Sequence, residues 1–420
     1  MIRLFVIADD FTGALDTGVQ FASYGAVTKV VVDVNLRRLQ LPADVQVLVV
    51  DAETRHLSAE NAYRTVKELV GWAVENGVGC IYKKTDSALR GNLGAELSAV
   101  LETGGGRRLH FVPAFPDLHR VTRGGVHYID GVSVADSVFG RDPFEPVQSS
   151  CVAELLARQT DVPVYSVPSG GKAADAAGIL VYDACTNRDM ATIADSLARR
   201  GETALLAGCA GFASVLPRLL RLDCTAETPV PLCDKLLVAC GSINPVSVRQ
   251  CDVAQAAGAP RFVLTPAQKL DRNWAGGEEA GTLVRRLLDA CGKWSMVVLD
   301  AGSQAVQGDT PAQQEQGRVC TMHTVGVLLK RMLDAGLDST IFIMGGDSLQ
   351  GLMHQLDVGV LTPLCEPEPG VVLSQFCYRG RVRNLISKSG GFGAPELFLQ
   401  LQEKLTHWKD ELTRPAARRA

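Results

Sequence analysis

The sequence predicts an α/β protein of two domains, each built on a mainly parallel sheet flanked by helices, with a β-hairpin and long loop inserted in the first. Three observations predict it. The chain has 420 residues, too many for one ordinary core, and domains of roughly 200 residues are the natural division. Short apolar runs alternate with helix-length amphipathic segments, the pattern of βαβ units. Many of those runs end in residues able to do chemistry, and open α/β sheets collect ligands beyond the carboxyl ends of their strands, where strand order reverses.

The elements follow in order. IRLFVIADDFTG reads as a strand entering the helix ALDTGVQFASYG, with Ala14, Val19, Phe21 and Ala22 on one face and Gly25 as its stop. VQVLVVDAETR is a second strand, followed by the amphipathic AENAYRTVKELVGWAVENG with Ser58 as N-cap. CIYKKTDSALRGN is a third, and LGAELSAVLETGGG is a helix ending in a glycine run. RLHFVPAFPD is a fourth strand. Residues 117–150 break this rhythm: Thr, Val and Tyr alternate around GG and DG turns, which reads as a β-hairpin followed by an extended loop. The rhythm returns at VPVYSVPS, GILVYDACT and TALLAGCAGFASVLPRLL. RLDCTAETPVPLCDK lacks periodicity and is the linker candidate. A second set of strands then runs through KLLVACGS, RFVLTP, SMVVLDAG and STIFIMGGDS. The expected division is residues 1–225 as a first domain, 235–405 as a second and 406–420 as a basic C-terminal tail.

Composition narrows the function. Hydrophobic residues make up 46% and charged residues 21%, enough apolar material for two cores. A formal net charge of −4 argues against a nucleic-acid partner, since phosphate neutralisation needs a basic face. MIRLFVIADD carries no small-residue cleavage site, and no apolar run approaches the ~20 residues that span a bilayer. A cytoplasmic location without a membrane partner is therefore expected, and a homodimer is compatible with the sequence. The 12 cysteines form no C-x-x-C pair and mostly lie in apolar runs, as buried thiols do. The histidines lack metal-ligand spacing and no G-x-S-x-G elbow occurs, so zinc and serine-hydrolase chemistry are unsupported.

The strand ends carry the candidate site. Asp9 and Asp10 follow the first strand, where a carboxylate can bind substrate hydroxyls, act as a base or simply cap a helix. Strand alternation sends only one of the two into the crevice. An aspartyl-nucleophile phosphatase needs a second Asp two positions beyond the first, and Phe11 and Thr12 stand after Asp10 instead. Arg55 closes the second strand and suits a carboxylate bidentately. Lys83, Lys84, Thr85, Asp86, Ser87 and Arg90 follow the third; two lysines ending a buried strand need a neutralising partner, either Asp86 or a bound anion. In the second half the strand ends are bare: Gly241 and Ser242, then Gly345, Gly346, Asp347 and Ser348, then Lys388, Gly390 and Gly391. Glycines before a helix let backbone N–H groups reach a phosphate, and Asp347 could deprotonate a hydroxyl or cap the helix. G-x-x-x-x-G-K-[ST] is absent, so this is not a P-loop.

Taken together, IADDFTGALDTGVQFA, KKTDSALRGNLGAE, PAFPDLHRVTRGG with the later DPFEPV, GSINPVSVRQ, GGDSLQGLM and SKSGGFG resemble the four-carbon acid sugar kinase family over nearly the whole chain. DTGVQ is most like its D-threonate kinase branch. The resemblance implies ATP-dependent phosphorylation of the 4-hydroxyl of a four-carbon sugar acid, with Mg²⁺ as the accompanying ion. It implies that residues around Asp10, with Arg55 and Lys84 to Ser87, hold the sugar acid. It implies that Ser242, Gly345 to Ser348, and Lys388 with its glycine neighbours hold ATP, so that residues 1–225 would be a sugar-acid-binding domain and 235–405 a nucleotide-binding domain. The D-erythronate and 3-oxo-tetronate kinase branches and a non-catalytic sugar-acid sensor are the alternatives. His119 before Arg120, and GVVLSQF near residue 371, depart from the family pattern.

Overall fold

A computed structural model describes residues 2–32, 35–36, 39–142, 145–171, 175–222, 233–304, 310–388 and 391–413. The chain divides into two units, Met1–Glu227 and Thr228–Ala420.

In the first unit, β1 (Leu4–Ala8), α1 (Phe11–Ala22), β2 (Thr28–Val31), β3 (Val47–Asp51), α2 (Ala59–Glu75), β4 (Cys80–Lys84), α3 (Leu93–Thr103) and β5 (Arg108–Val112) follow the expected alternation. A meander interrupts them: β6 (Arg120–Arg123), β7 (Val126–Ile129) and β8 (Val132–Ser133). Then come α4 (Val152–Ala157), β9 (Val164–Val167), β10 (Gly178–Tyr182), α5 (Asn187–Arg200), β11 (Leu205–Gly208), α6 (Ala210–Ala213) and α7 (Leu216–Leu219). The sheet is parallel throughout, in the order β2-β3-β1-β4-β11-β5-β10-β9. Every residue of β1, β3 and β4 is buried, as continuous Val, Ile and Leu runs covered by helices on both faces require. After β1 the chain lays β2 and then β3 on one side of it, and then crosses to β4 on the other side. The reversal therefore lies between β1 and β4, where Ala8 pairs with both Asp51 and Lys84.

The insertion is three antiparallel strands rather than a single hairpin. Gly124 and Gly125 (φ 61° and 75°) make the first turn, and Asp130 and Gly131 (φ 51° and 80°) the second. Two consecutive positive φ values match the twist of a tight hairpin. The Asp183 carboxylate accepts from the N–H groups of Gly124 (2.7 Å) and Gly125 (2.9 Å), tying the first turn to the end of β10.

The second unit contains β12 (Leu236–Cys240), α8 (Pro245–Ala256), β13 (Arg261–Val263), α9 (Pro266–Leu270), α10 (Glu278–Lys293), β14 (Met296–Asp300), α11 (Pro311–Asp334), β15 (Thr340–Met344), α12 (Gly346–Leu356), β16 (Val360–Glu368), β17 (Val371–Tyr378), β18 (Arg381–Lys388) and α13 (Leu397–Thr413). The strand order is β13-β14-β12-β15-β18-β17-β16, parallel up to β18 and antiparallel beyond it. Here the order reverses between β12 and β15, and Asp300, Cys240, Met344 and Lys388 end four adjacent strands at one level. The core joins these strands to α8 and α13 through Cys251, Ala254, Phe398, Leu401 and Leu405. A boundary at 406 is corrected: α13 runs on to Thr413, because Leu397, Leu401 and Leu405 give it a buried face. The segment RPAARRA and most of the linker candidate lie outside the described residues.

Among the described residues no helix is long and apolar enough to cross a membrane. The described cysteines are free; Cys80, Cys209, Cys240, Cys251, Cys291 and Cys320 are buried, whereas Cys185 and Cys377 are exposed.

Candidate active site

At the β1/β4 reversal the side chains form one buried ionic network. Asp10 has extended backbone and caps α1, its carboxylate accepting from Gly13 N (3.1 Å) and Thr12 Oγ1 (2.7 Å). Lys84 Nζ donates to Asp9 Oδ1 and Asp10 Oδ1, each at 3.0 Å. Arg55 reaches the same pair: Nε to Asp9 Oδ2 at 2.9 Å, Nη1 to Asp10 Oδ2 at 3.1 Å, and Nη2 2.7 Å from both carboxylates. Asp86 lies 3.7 Å from Arg55 and takes Arg90 bidentately, at 2.8 Å and 3.2 Å. Arg90 also donates to Asp142, which the insertion contributes (3.2 Å). Gly13 makes the close approach feasible, since a Cβ there would lie 1.9 Å from Lys84 Nζ and 2.4 Å from Asp10 Oδ1.

The two aspartates therefore act together, correcting the expectation that only one enters the crevice. β1 ends at Ala8, so pleat alternation does not govern Asp9 and Asp10. It does govern the lysines, which separate. Lys83 pairs instead with Glu96 of α3 at 3.1 Å and donates to the carbonyl of Lys84; its side chain is 0% exposed. The expectation that the two lysines act as a pair is thus corrected: Lys83 faces Glu96, and Lys84 faces Asp9 and Asp10. Thr85 Oγ1 is buried with no hydrogen-bond partner. Ser87 Oγ accepts from Arg120 of the insertion, and the Ser87 carbonyl meets His127 Nε2 at 3.1 Å.

Electrostatics follow from the pairing. Burial pushes Asp10 upward, but Arg55 and Lys84 overcome it and hold the carboxyl well below the usual range. Asp86 is likewise lowered, with Arg90 and Arg55 outweighing burial. Arg55 and Lys84 are raised in turn, against burial, by Asp10 and Asp9. Burial and the neighbouring Glu53 drive Asp51 the other way, well above the carboxylate range. Every charge at the centre of this site is already met by an opposite one.

The second unit presents a different surface. Gly345 follows β15 at φ 100° and precedes α12 without any side-chain cap, which leaves the first N–H groups of that helix to other acceptors. Beside it the loops approach closely: a Cβ on Gly241 would lie 1.8 Å from Ser348 Oγ, and one on Gly302 would lie 2.2 Å from the Ser242 carbonyl. Ser242 Oγ accepts from Asn244 N (3.2 Å). Asp347, in the first turn of α12, is partly exposed and receives Arg318 Nη1 at Oδ1. Lys388 is buried beneath this surface; Nζ donates to Ser247 Oγ (3.3 Å) and the Phe392 carbonyl (3.0 Å), and burial lowers its pKa to about 8. It fastens the glycine-rich segment from below, with Gln250 Nε2 donating to Phe392, Gly393 and Ala394 carbonyls. Gly391 is described there, whereas Gly390 lies outside the described residues.

Sequence reasoning did not single out Asp142, Arg318 or Asp300. The Asp300 carboxylate ends β14, pairs with Arg261 (2.6 Å) and accepts from Gly302 N and Ser303 N, shaping the adjacent loop. The strand-end position after SMVVLD was a usable signal for Asp300, and Asp142 opens the DPFEPV motif; nothing local marks Arg318 on a helix.

Two family models match the chain: one described as a sugar-binding N-terminal domain, over residues 4–216, and one as a nucleotide-binding C-terminal domain, over residues 237–398. D-threonate kinase of Salmonella typhimurium is 29% identical over 417 residues, spanning 94% of this chain and 96% of that protein. D-erythronate kinase of Heliobacterium modesticaldum is 30% identical, spanning 69% and 68%. 3-Oxo-tetronate kinase of Pseudomonas fluorescens is 24% identical, spanning 93% and 94%. Solved structures from Salmonella typhimurium (TM-score 0.82) and Haemophilus influenzae (TM-score 0.71), each 21% identical and matched over 96% of this chain and 100% of theirs, share the fold.

Proposed function

We infer that this chain, which belongs to the four-carbon acid sugar kinase family, transfers the γ-phosphoryl group of ATP to the 4-hydroxyl of D-threonate. The observation that carries the reading is the division of chemistry between the units. Each gathers its reactive groups at a strand-order reversal. The first offers carboxylates and cations in a buried network, and the second offers uncapped backbone at Gly345–Ser348. The first suits a small polyhydroxy acid and the second suits phosphates. DTGVQ within α1 and the near full-length likeness to D-threonate kinases favour D-threonate over the related acids.

In this reading Asp10 and Asp86 accept hydrogen bonds from substrate hydroxyls, with Asp9 holding Lys84 and Arg55 in place. Arg55 and Lys84 are the cations for the substrate carboxylate, which must share them with Asp9 and Asp10. The unpartnered Thr85 Oγ1 and the Ser87 hydroxyl complete the set of groups open to a ligand hydroxyl. N–H groups of Gly346 to Ser348, with Ser242, bind the phosphates. Lys388 and Gly391 shape that surface from below. Asp347 takes the proton from the attacking hydroxyl.

Phosphoryl transfer from ATP calls for Mg²⁺, which neutralises phosphate charge. Among the described residues no group of three or more His, Cys, Asp or Glu could hold a metal by itself. Such an ion would be held by nucleotide oxygens and water, with Asp347 as a carboxylate that could join them.

The test is ATP consumption measured across D-threonate, D-erythronate, their enantiomers and the 3-oxo acids, with phosphorus NMR of the product. The expected result is fastest turnover on D-threonate with phosphate on O4. Preference for another acid would replace the substrate assignment. ATP–Mg²⁺ binding without turnover on any of them would remove the kinase reading.

A further inference from the structure

We propose that Arg318 is a phosphate ligand of the bound nucleotide, held ready in the free protein by Asp347 and Glu315. This rests on the reading of the second unit as the ATP-binding one. The Arg318 guanidinium uses Nε and Nη2 on the two carboxylate oxygens of Glu315 (2.8 and 2.7 Å) and Nη1 on Asp347 Oδ1. Asp347 is the second residue of α12, so the guanidinium stands at the uncapped end of that helix, beside Gly345 and Gly346.

The placement does not depend on the ion pair alone. α11 and α12 meet at glycines: a Cβ on Gly326 would lie 2.4 Å from the Gly351 carbonyl, and one on Gly351 would lie 2.4 Å from the Met322 carbonyl. Gln355 Nε2 and His323 Nδ1 lie 3.3 Å apart on the same seam. Backbone contact this close leaves little freedom to slide, so α11 presents Arg318 at the start of α12 whether or not Asp347 is bound to it.

The electrostatics point the same way. A triphosphate arriving at the start of α12 meets the Asp347 carboxylate in the first turn. Two anions there repel unless a cation neutralises them, and Arg318, already paired with Asp347, can supply it. Its side chain is 29% exposed, so water and ligands reach it. A planar guanidinium can exchange the Asp347 oxygen for a phosphate oxygen while Glu315 keeps its other edge. Arginines placed in this way stabilise the charge that develops during phosphoryl transfer.

The experiment measures affinity for ATP–Mg²⁺ and for AMP by calorimetry in the full chain, with Arg318→Met, Arg318→Lys and the double variant Arg318→Met/Asp347→Asn. The expected result is ATP affinity lowered by about tenfold or more in Arg318→Met, with AMP affinity unchanged and Arg318→Lys intermediate. The double variant stays weak, because a ligand to phosphate is missing. Restoration of native ATP affinity in the double variant would overturn the assignment and leave Arg318 only a neutraliser of Asp347. ATP affinity in Arg318→Met within about twofold of native would also overturn it. Should Arg318→Met fail to fold, Glu315→Gln keeps the arginine and releases its tether. ATP affinity retained or increased in that variant supports the proposal, and affinity lost as severely as expected for Arg318→Met opposes it. Absence of ATP binding in the unaltered protein is a separate outcome and counts against the kinase reading itself.

Discussion

Lys83→Met separates two neighbouring lysines that the sequence places side by side. Lys83 Nζ lies 3.1 Å from Glu96 Oε2, and the two side chains are 0% and 2% exposed. At an effective dielectric constant of about 20, charges at this separation attract by about 5 kcal/mol. Breaking such a buried pair by removing one partner costs about 3–5 kcal/mol, since the survivor is left uncompensated. Glu96 can escape part of that cost by taking up a proton. Burial already raises its pKa, and Lys83, with a lesser part from Thr54, opposes the rise. With Lys83 gone, Glu96 keeps its proton to higher pH in the folded state than in the unfolded chain. The native state then binds more protons, so stability is greatest at low pH and falls as pH rises from about 4.5 to the raised folded value. The slope approaches about 1.4 kcal/mol per pH unit for one proton. Urea denaturation of native and variant protein at pH 5, 6, 7 and 8 should show a stability gap that widens with pH and reaches about 3 kcal/mol near neutrality. Where both proteins are folded, KM for the sugar acid should differ little, whereas Lys84→Met should raise it by about tenfold or more. A gap below about 1 kcal/mol, or one independent of pH, would refute the pairing argument.

Arg55→Ala leaves Asp9 and Asp10 with Lys84 alone; KM for the sugar acid should rise by about tenfold or more and the unit should lose about 3 kcal/mol, and steady-state kinetics with an unchanged KM would remove Arg55 from the site. Asp347→Asn should lower kcat by a factor of about 10² while sugar-acid affinity, read by calorimetry, stays near native; near-normal turnover would end the base assignment. Gly241→Ala places a methyl group on Ser348 Oγ, so ATP affinity should fall while sugar-acid affinity holds; equal loss of both would indicate general unfolding. Lys388 has a folded pKa of about 8, below the ordinary lysine value of 10.5, so the unfolded chain binds more protons between these limits and stability rises with pH across them. The Lys388→Met variant should lack that component, and identical pH profiles for the two proteins would contradict it.

The alternation of strands and helices, the two reversals with reactive residues beyond the strands, and most members of the ionic network were legible as sequence. They depend on local patterning: runs such as LFVIA and CIYKK have to be buried on both faces, and whatever follows them has to emerge at the carboxyl edge. The antiparallel pairing of β16 and β17 went unread because Pro363 and Pro367 interrupt the alternation of β16. The contacts of Asp142 with Arg90 and of Arg318 with Asp347 went unread because they arise through the packing of segments 52 and 29 residues apart in the chain.

By itself the sequence determined which residues stand at the strand ends, because hydrophobic periodicity fixes where each strand stops. Only the tertiary structure decided how their charges pair. Asp9 and Asp10 turn inward together because the strand has already ended, and Lys83 leaves for Glu96 because its own strand has not. Ion pairs are set by three-dimensional distance and by burial, and neither quantity is carried by a local run of residues.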